Sequence, residues 1–386
     1  MKKKYLISVL LLLAACGQNE WPDGLWSGYT GVITFSSPYE ADTRAALRSG
    51  SFEAGDKVGV LGYCVAKSSQ GVDYSTSPWD TKKDFCTPDI FYNQELTYDG
   101  AGSWNYAWNE IGNISGLHPW EKNESYTYSF FAYYPYADDN GTITVENKNM
   151  GTVKLSDRDQ RSDPTIIYTM PHMGNSTSFS LDWSAVPDFM LAYNIDHKKS
   201  DGVVSLEFRH LFSAFAFRVN NYNTYPVYIS NLSVSGSGFY KSVTVTGQES
   251  GYTVGTDRYS GQFMLIGNNS GETFECPGAE EKGGQLVPTS RVITDENNEE
   301  IVLLFIPNAN DKLTDDNNGS FNLTLQATEQ NGDMIGSTRN MGLKDSSFRP
   351  GMRTVFNINI VGNDFIIQAR SEDAWEDGGD SDIVFE

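Results

Sequence analysis

One cysteine in the chain stands where a thiol is prepared for modification. Cys16 closes the stretch Leu13-Ala14-Ala15-Cys16, with a basic n-region of Lys2, Lys3 and Lys4 and a short apolar run from Tyr5 to Leu13 ahead of it. Basic, apolar and small-residue features in this order read as a bacterial lipoprotein signal. The thiol would carry diacylglycerol, a peptidase would cut before it, and the mature chain would begin at Cys16. The apolar run is shorter than the ~20 residues a membrane-crossing helix needs. The plainer alternative is an ordinary secretory signal with an incidental cysteine. On the lipoprotein reading, everything downstream is exported and membrane-tethered.

The remaining chemistry is sparse. Cys64, Cys86 and Cys276 are odd in number and show no C-x-x-C spacing, so neither a zinc site nor a complete disulfide framework follows. In an oxidising compartment Cys64 and Cys86 either bridge or stay as buried thiols. The histidines, His118, His172, His197 and His210, form no H-E-x-x-H and no i, i+4 pair, and read as surface or core residues. Nucleophile elbow, P-loop and dinucleotide fingerprint are all missing from the sequence. Asp315-Asp316-Asn317-Asn318-Gly319-Ser320 has the look of a calcium loop. With Asp315 first, however, position six is Ser320 and position twelve Gln326, where Gly and Glu are needed; a solvated turn fits better. Carboxylate pairs of the glycosidase kind are defined by a spatial separation of ~5 to 9.5 Å, and nothing in the sequence singles one out. Trp104 and Trp108 could stack on sugar rings, although aromatics at alternating strand positions are more often core. No catalytic residue, metal ligand or cofactor is expected, and the chain reads as a non-enzyme.

The elements that would position these residues are strands. Removing residues 1–15 leaves 386 minus 15, or 371 residues, which suggests two domains. With 36 Gly, 21 Tyr and 21 Phe, composition favours strands and turns over helices. Formal charge is -22 for the whole chain, and nearer -25 once the three signal lysines are gone. A surface of that sign disfavours nucleic acid and anionic headgroups as partners.

Residues 16–29 read as a tether. Strand patterns follow at Gly31 to Phe35, Lys57 to Tyr63, Glu95 to Tyr98, Trp104 to Trp108 and Tyr126 to Tyr134. Between the first two, 43–51 is small and polar, carries Arg44 and Arg48, and reads as an exposed loop. Asp139-Asn140-Gly141 signals a turn. His197 to Gly202 is the most linker-like stretch, dividing 30–196 from 200–386. Beyond it, Val203 to Val219 alternates strongly, but one strand of that length would span ~56 Å at ~3.3 Å per residue. A bend or bulge near His210 to Ser213 is therefore expected. Further strand patterns run to Val355 to Val361, preceded by the turn signal Pro350-Gly351. The tail 365–386 holds three apolar patches, around Phe365 and Ile367, Trp375, and Ile383 and Phe385, separated by acidic, Gly-containing stretches. It either completes the protein's own sheet or serves another subunit. The expected fold is all-β, two β-sandwich domains in tandem.

Several short motifs, in this order, carry a resemblance. They are the lipobox at Cys16, Thr43-Arg44-Ala45, Phe52-x-x-Gly55-Asp56-x-Val58, Phe130-Phe131-Ala132-Tyr133-Tyr134-Pro135, Leu206-x-Phe208-x-His210-Leu211-Phe212-Ser213, and Pro350-Gly351 before a terminal strand. Together they resemble the fimbrillin family, the lipoprotein type V pilins and related surface proteins of Bacteroidales. The resemblance implies two transthyretin-like, Greek-key β-sandwiches exported as an outer-membrane lipoprotein. It implies an arginine-specific cut at Arg44 or Arg48 that removes a strand around Val32 to Phe35, and a donor strand from Phe365, Ile367, Trp375, Ile383 and Phe385 that fills the groove of the next subunit. Partners would then be other fimbrial subunits, the membrane through Cys16, and a host or bacterial surface receptor. The interruption at Asp377 to Asp382 departs from a simple donor pattern. The competing expectation is a monomeric surface glycan-binding lipoprotein that uses exposed Trp and Tyr.

Overall fold

The computed structural model describes residues 31–37, 52–106, 118–172, 180–181, 183–248, 252–267, 273–295, 298–308, 321–329, 332–341, 348–373 and 381–382. Among them the fold is all-β, with one four-residue helix, Trp79–Lys82, and short 3-10 turns.

The first sheet has the spatial order Val204–Ser205, Phe35–Ser36, Ser103–Tyr106, Phe91–Tyr98, Lys57–Tyr63, Thr127–Tyr134, Met190–Lys198, Arg209–His210. Its centre is buried on both faces. Tyr128, Phe130 and Ala132 turn to one core with Val58, Val60 and Phe91, while Phe131 packs with Leu61, Tyr63 and Trp79 on the other side. That two-sided burial is why five of the eight residues of Thr127–Tyr134 are aromatic and fall on both faces rather than at every second position. Gly59 leaves room for a neighbour, since a Cβ there would sit 2.5 Å from the Tyr133 ring. The sheet curls until its flanks meet: Asn194 Nδ2 donates to the Ser205 carbonyl at 3.0 Å, and Ala192 and Val204 share one core.

The apolar run from Val203 to Val219 is broken into Val204–Ser205, Arg209–His210 and Ser213–Asn221. The first two pieces belong to the first sheet and the third opens another, so the chain changes sheets at the expected bend. The stretch read as a linker does something else. Lys199–Asp201 is a 3-10 turn, closed by the Lys198 amide donating to Asp201 Oδ2 at 2.8 Å, and the first sheet continues past it to His210. The polar residues there form a tight solvated turn. Other strands cross the expected division as well: Thr165–Thr169 pairs with Ser242–Thr246, and Ser180–Leu181 pairs with Gln262–Ile266.

Two further sheets enclose the largest core. One has the order Thr289–Val292, Ser213–Asn221, Met352–Val361, Asp364–Asp373, Ser381–Asp382; the other Met334–Asn340, Asn322–Glu329, Val227–Ser235, Gln262–Ile266, Ser180–Leu181. Phe215 from the first reaches Phe321, which leads into the second, at a ring separation of 4.9 Å. Leu323, Leu325, Phe217 and Phe356 are buried in the same cluster. The Pro350-Gly351 turn is held by the Gly351 amide donating to the Phe212 carbonyl at 2.8 Å, with Gly351 at φ 77°. Two motifs far apart in sequence thus meet.

Cys64, Cys86 and Cys276 are free and buried, which corrects the option of a Cys64 to Cys86 bridge. Ala66, not Cys64, is the ladder partner of Cys86. Cys64 belongs to the core with Val58 and Phe130, Cys86 to the one with Tyr63 and Trp79, so the two thiols serve different cores.

Candidate functional site

The segment 31–37 lies inside the first sheet rather than at its rim. Phe35 pairs antiparallel with Trp104 on one side and parallel with Val204 on the other. Apolar Ile33 and Phe35 point inward and are buried, while Thr34 between them is exposed, the period-2 pattern of a strand. The Phe35 ring packs against Phe91 and Phe130 at 5.7 and 5.4 Å. Burying two such side chains contributes roughly 1.5–3 kcal/mol each.

Hydrogen bonds hold the segment from both flanks. The Val204 and Leu206 amides donate to the Thr34 and Ser36 carbonyls at 2.9 and 2.8 Å, Ile33 donates to His118 at 2.9 Å, and Ser37 to Gly102 at 3.0 Å. Tyr106 Oη donates to the Ile33 carbonyl at 2.7 Å, and burial pushes that phenol well above its ordinary range. Taking 31–37 away would leave an apolar slot lined by backbone donors.

Residues of the motifs quoted from the sequence, Phe52, Tyr134 and Phe208 among them, pack against the core that holds Ile33 and Phe35. Phe52 sits among Tyr98, Trp104, Tyr134 and Phe208, at ring separations of 5.9, 4.9, 5.2 and 5.2 Å. Beside it, Asp56 accepts from the Glu53 amide at 2.7 Å and from Tyr134 Oη at 3.2 Å, and its carboxyl is raised by burial. His210 Nδ1 meets Asp188 Oδ1 at 2.6 Å, the histidine buried and the aspartate half-buried, where the first sheet hands over to the second.

Cys16, Arg44, Arg48, Trp108, Asp315, Trp375, Ile383 and Phe385 lie outside the described residues. Trp104 is only 2% exposed, so it is a core residue and offers no face to a sugar. Phe365 and Ile367 are described: Asp364–Asp373 pairs antiparallel with Met352–Val361 along its whole length, with Phe365 buried. Ser381–Asp382 then pairs antiparallel with Ser371 and Arg370. Among the described residues no group of three or more His, Cys, Asp or Glu could hold a metal. Sequence reasoning missed the flanking strand Val204–Ser205, which lies within the long alternating run and gives no separate signal.

The fimbrillin-like family matches residues 43–372. The chain belongs to the fimbrillin-like family. Among solved structures, this fimbrillin-like chain is similar to a candidate cell adhesion protein from Bacteroides uniformis, with 15% identity, 89% of this chain and 100% of that one covered, and a TM-score of 0.46. A second from Bacteroides ovatus shows 11% identity, 91% and 99% coverage, and a TM-score of 0.44. The tip fimbrial protein Mfa3 from Porphyromonas gingivalis, with a C-terminal truncation, shows 9% identity, 88% and 98% coverage, and a TM-score of 0.34. No curated protein matches the chain.

Proposed function

We propose that the chain is a structural or adhesive subunit of a surface fimbria, exported as a lipoprotein through Cys16 and assembled by strand exchange after a cut at Arg44 or Arg48. One observation carries the reading. The segment 31–37 is an interior strand of the first sheet, and its covalent tie to the rest of that sheet runs through the stretch that holds Arg44 and Arg48. A cut there frees the strand from the fold. The emptied slot presents the Val204 and Leu206 donors and the Phe91 and Phe130 rings. An unpaired edge over an apolar groove is satisfied by an added strand, through ladder hydrogen bonds and alternate side-chain pockets.

The donor is the tail of another copy or of a related subunit. Ile383-Val384-Phe385 repeats the spacing of Ile33-Thr34-Phe35, so its Ile and Phe suit the same two pockets. Phe365 and Ile367 stay in their own sheet and anchor the donor, and Trp375 lies on the connecting stretch. Family membership supports the fimbrial role and a place at the cell surface.

Digestion of the purified precursor with an arginine-specific protease tests the proposal. A product beginning just after Arg44 or Arg48, followed by polymers that resist mild denaturant, is the expected result. Cleavage elsewhere with a monomeric product would count against it.

A further inference from the structure

The flank of segment 31–37 that lies away from Val204 is made of two pieces. Ser103–Tyr106 supplies the part beside Phe35 and Ser36, and residues 118–120 supply the part beside Gly31 to Ile33. There Val32 is bridged to Pro119, the Ile33 amide donates to the His118 carbonyl at 2.9 Å, and the Trp120 amide donates to the Gly31 carbonyl at 3.3 Å. The Ile33 carbonyl falls at the join. The register that sets Phe35 opposite Trp104 and Ser36 opposite Ser103 sets Ile33 opposite Tyr106, the last residue of its strand, yet the Ile33 amide turns to His118. Its carbonyl is met by a side chain instead: Tyr106 Oη donates to it at 2.7 Å.

The phenol is fixed where it stands. Tyr106 is 8% exposed and shares one core with Ile33 and Phe35. Its ring lies edge-on to Phe35 at 6.3 Å and tilted against Phe91 at 6.0 Å. Burial keeps the hydroxyl protonated and therefore a donor. Among the described residues the Ile33 carbonyl is its one hydrogen-bond partner. With the slot empty, this buried donor would lose that partner; with the slot filled but the hydroxyl absent, the strand would bury an unpaired carbonyl. Each mismatch is costly, so the contact favours the filled slot over the empty one. Every residue carries a main-chain carbonyl, so the recognition does not depend on which side chain arrives.

We infer that Tyr106 captures the strand that refills the slot, by donating to the main-chain carbonyl that arrives at the join between Ser103–Tyr106 and residues 118–120. The inference rests on the strand-exchange reading and adds a residue that the exchange depends on. Recognition is then divided. The pockets of Ile33 and Phe35 choose side chains, the Val204 and Leu206 amides hold one flank of the incoming strand, and Tyr106 holds the other flank at the point where the backbone ladder is interrupted. In the tail, Ile383 takes the place of Ile33 when Ile383-Val384-Phe385 is laid on Ile33-Thr34-Phe35, so the Ile383 carbonyl is the one received.

The test uses full chain processed by the arginine-specific protease and the anisotropy of labelled peptides of residues 31–37 and 381–386. Tyr106→Phe keeps the ring and removes the hydroxyl. It should weaken binding of both peptides by about fivefold or more, while the urea midpoint of the processed, peptide-free chain stays at the wild-type value. Ester analogues, with an ester in place of the amide after Ile33 or Ile383, carry a weaker carbonyl acceptor. On them the penalty of Tyr106→Phe should shrink below about twofold, and wild-type chain should already bind them more weakly than the amides, a comparison that needs no variant. Amide peptides bound equally by variant and wild type would overturn the role of Tyr106 and leave strand exchange standing. An equal penalty on amides and esters would place the loss in ring packing and overturn it too. Wild-type chain that takes 31–37 but refuses 381–386 would remove the tail as donor, and this inference with it.

Discussion

The Phe35 ring meets the Phe130 ring edge-on, with centroids 5.4 Å apart and planes at 87°. One ring belongs to a segment that a single cut could release; the other sits in the central strand of the sheet. If processing releases that segment, loss of the contact should register differently before and after it.

Phe35→Ala should therefore destabilise the uncut precursor by about 3–5 kcal/mol, the usual range for a buried Phe emptied to a cavity. The processed chain should be indifferent to the same change, since it no longer contains residue 35. Urea midpoints of the two forms, wild type and variant, check this.

Replacing Arg44 and Arg48 together by Lys should keep the fold and block processing by an arginine-specific protease. The double variant should stay full length and unassembled, as read by mass spectrometry and sedimentation. Assembly at the wild-type rate would show that the cut is dispensable.

Burial pushes the thiols of Cys64 and Cys86 up to about 12 and that of Cys276 to about 11. The thiolate is the reactive form, so at pH 8 all three should resist alkylation until the protein unfolds. Because the folded values lie above the ordinary thiol value, stability from these groups is fully present below about pH 9 and declines as pH rises toward 12. Buried phenols such as Tyr63 and Tyr133, also raised by desolvation, act in the same direction. Lys82, buried and lowered, works against them in part. Denaturation midpoints at pH 7, 9 and 10.5 should fall in that order.

Asp188→Asn should cost about 1–3 kcal/mol, because it replaces the carboxylate partner of a part-buried hydrogen bond to the buried His210 at the change of sheet. Asn keeps the shape, so a much larger loss would mean the pair does more than hold the join.

The all-β class was legible in the sequence because alternation over Val204 to Val219 and the aromatic run Thr127 to Tyr134 admit few other readings. The bend at His210 to Ser213 was legible from strand length alone. Polar composition does not distinguish a linker from a tight turn: the linker-like stretch His197 to Gly202 holds the 3-10 turn Lys199–Asp201. The pairing of Phe35 with Val204 was not legible, since a parallel contact between residues so distant leaves no local trace. Cys64 and Cys86 looked bridgeable by spacing and compartment, but which core each thiol faces depends on strand register, set by partners the sequence does not name.

Hydrogen exchange at the Val204 and Leu206 amides tests the proposed strand replacement most directly, because both donate to the segment 31–37. Protection in the precursor, loss of protection after cleavage at Arg44 or Arg48, and its return in the assembled polymer is the predicted sequence. Amides that stay protected after cleavage, or stay exposed in the polymer, would contradict it.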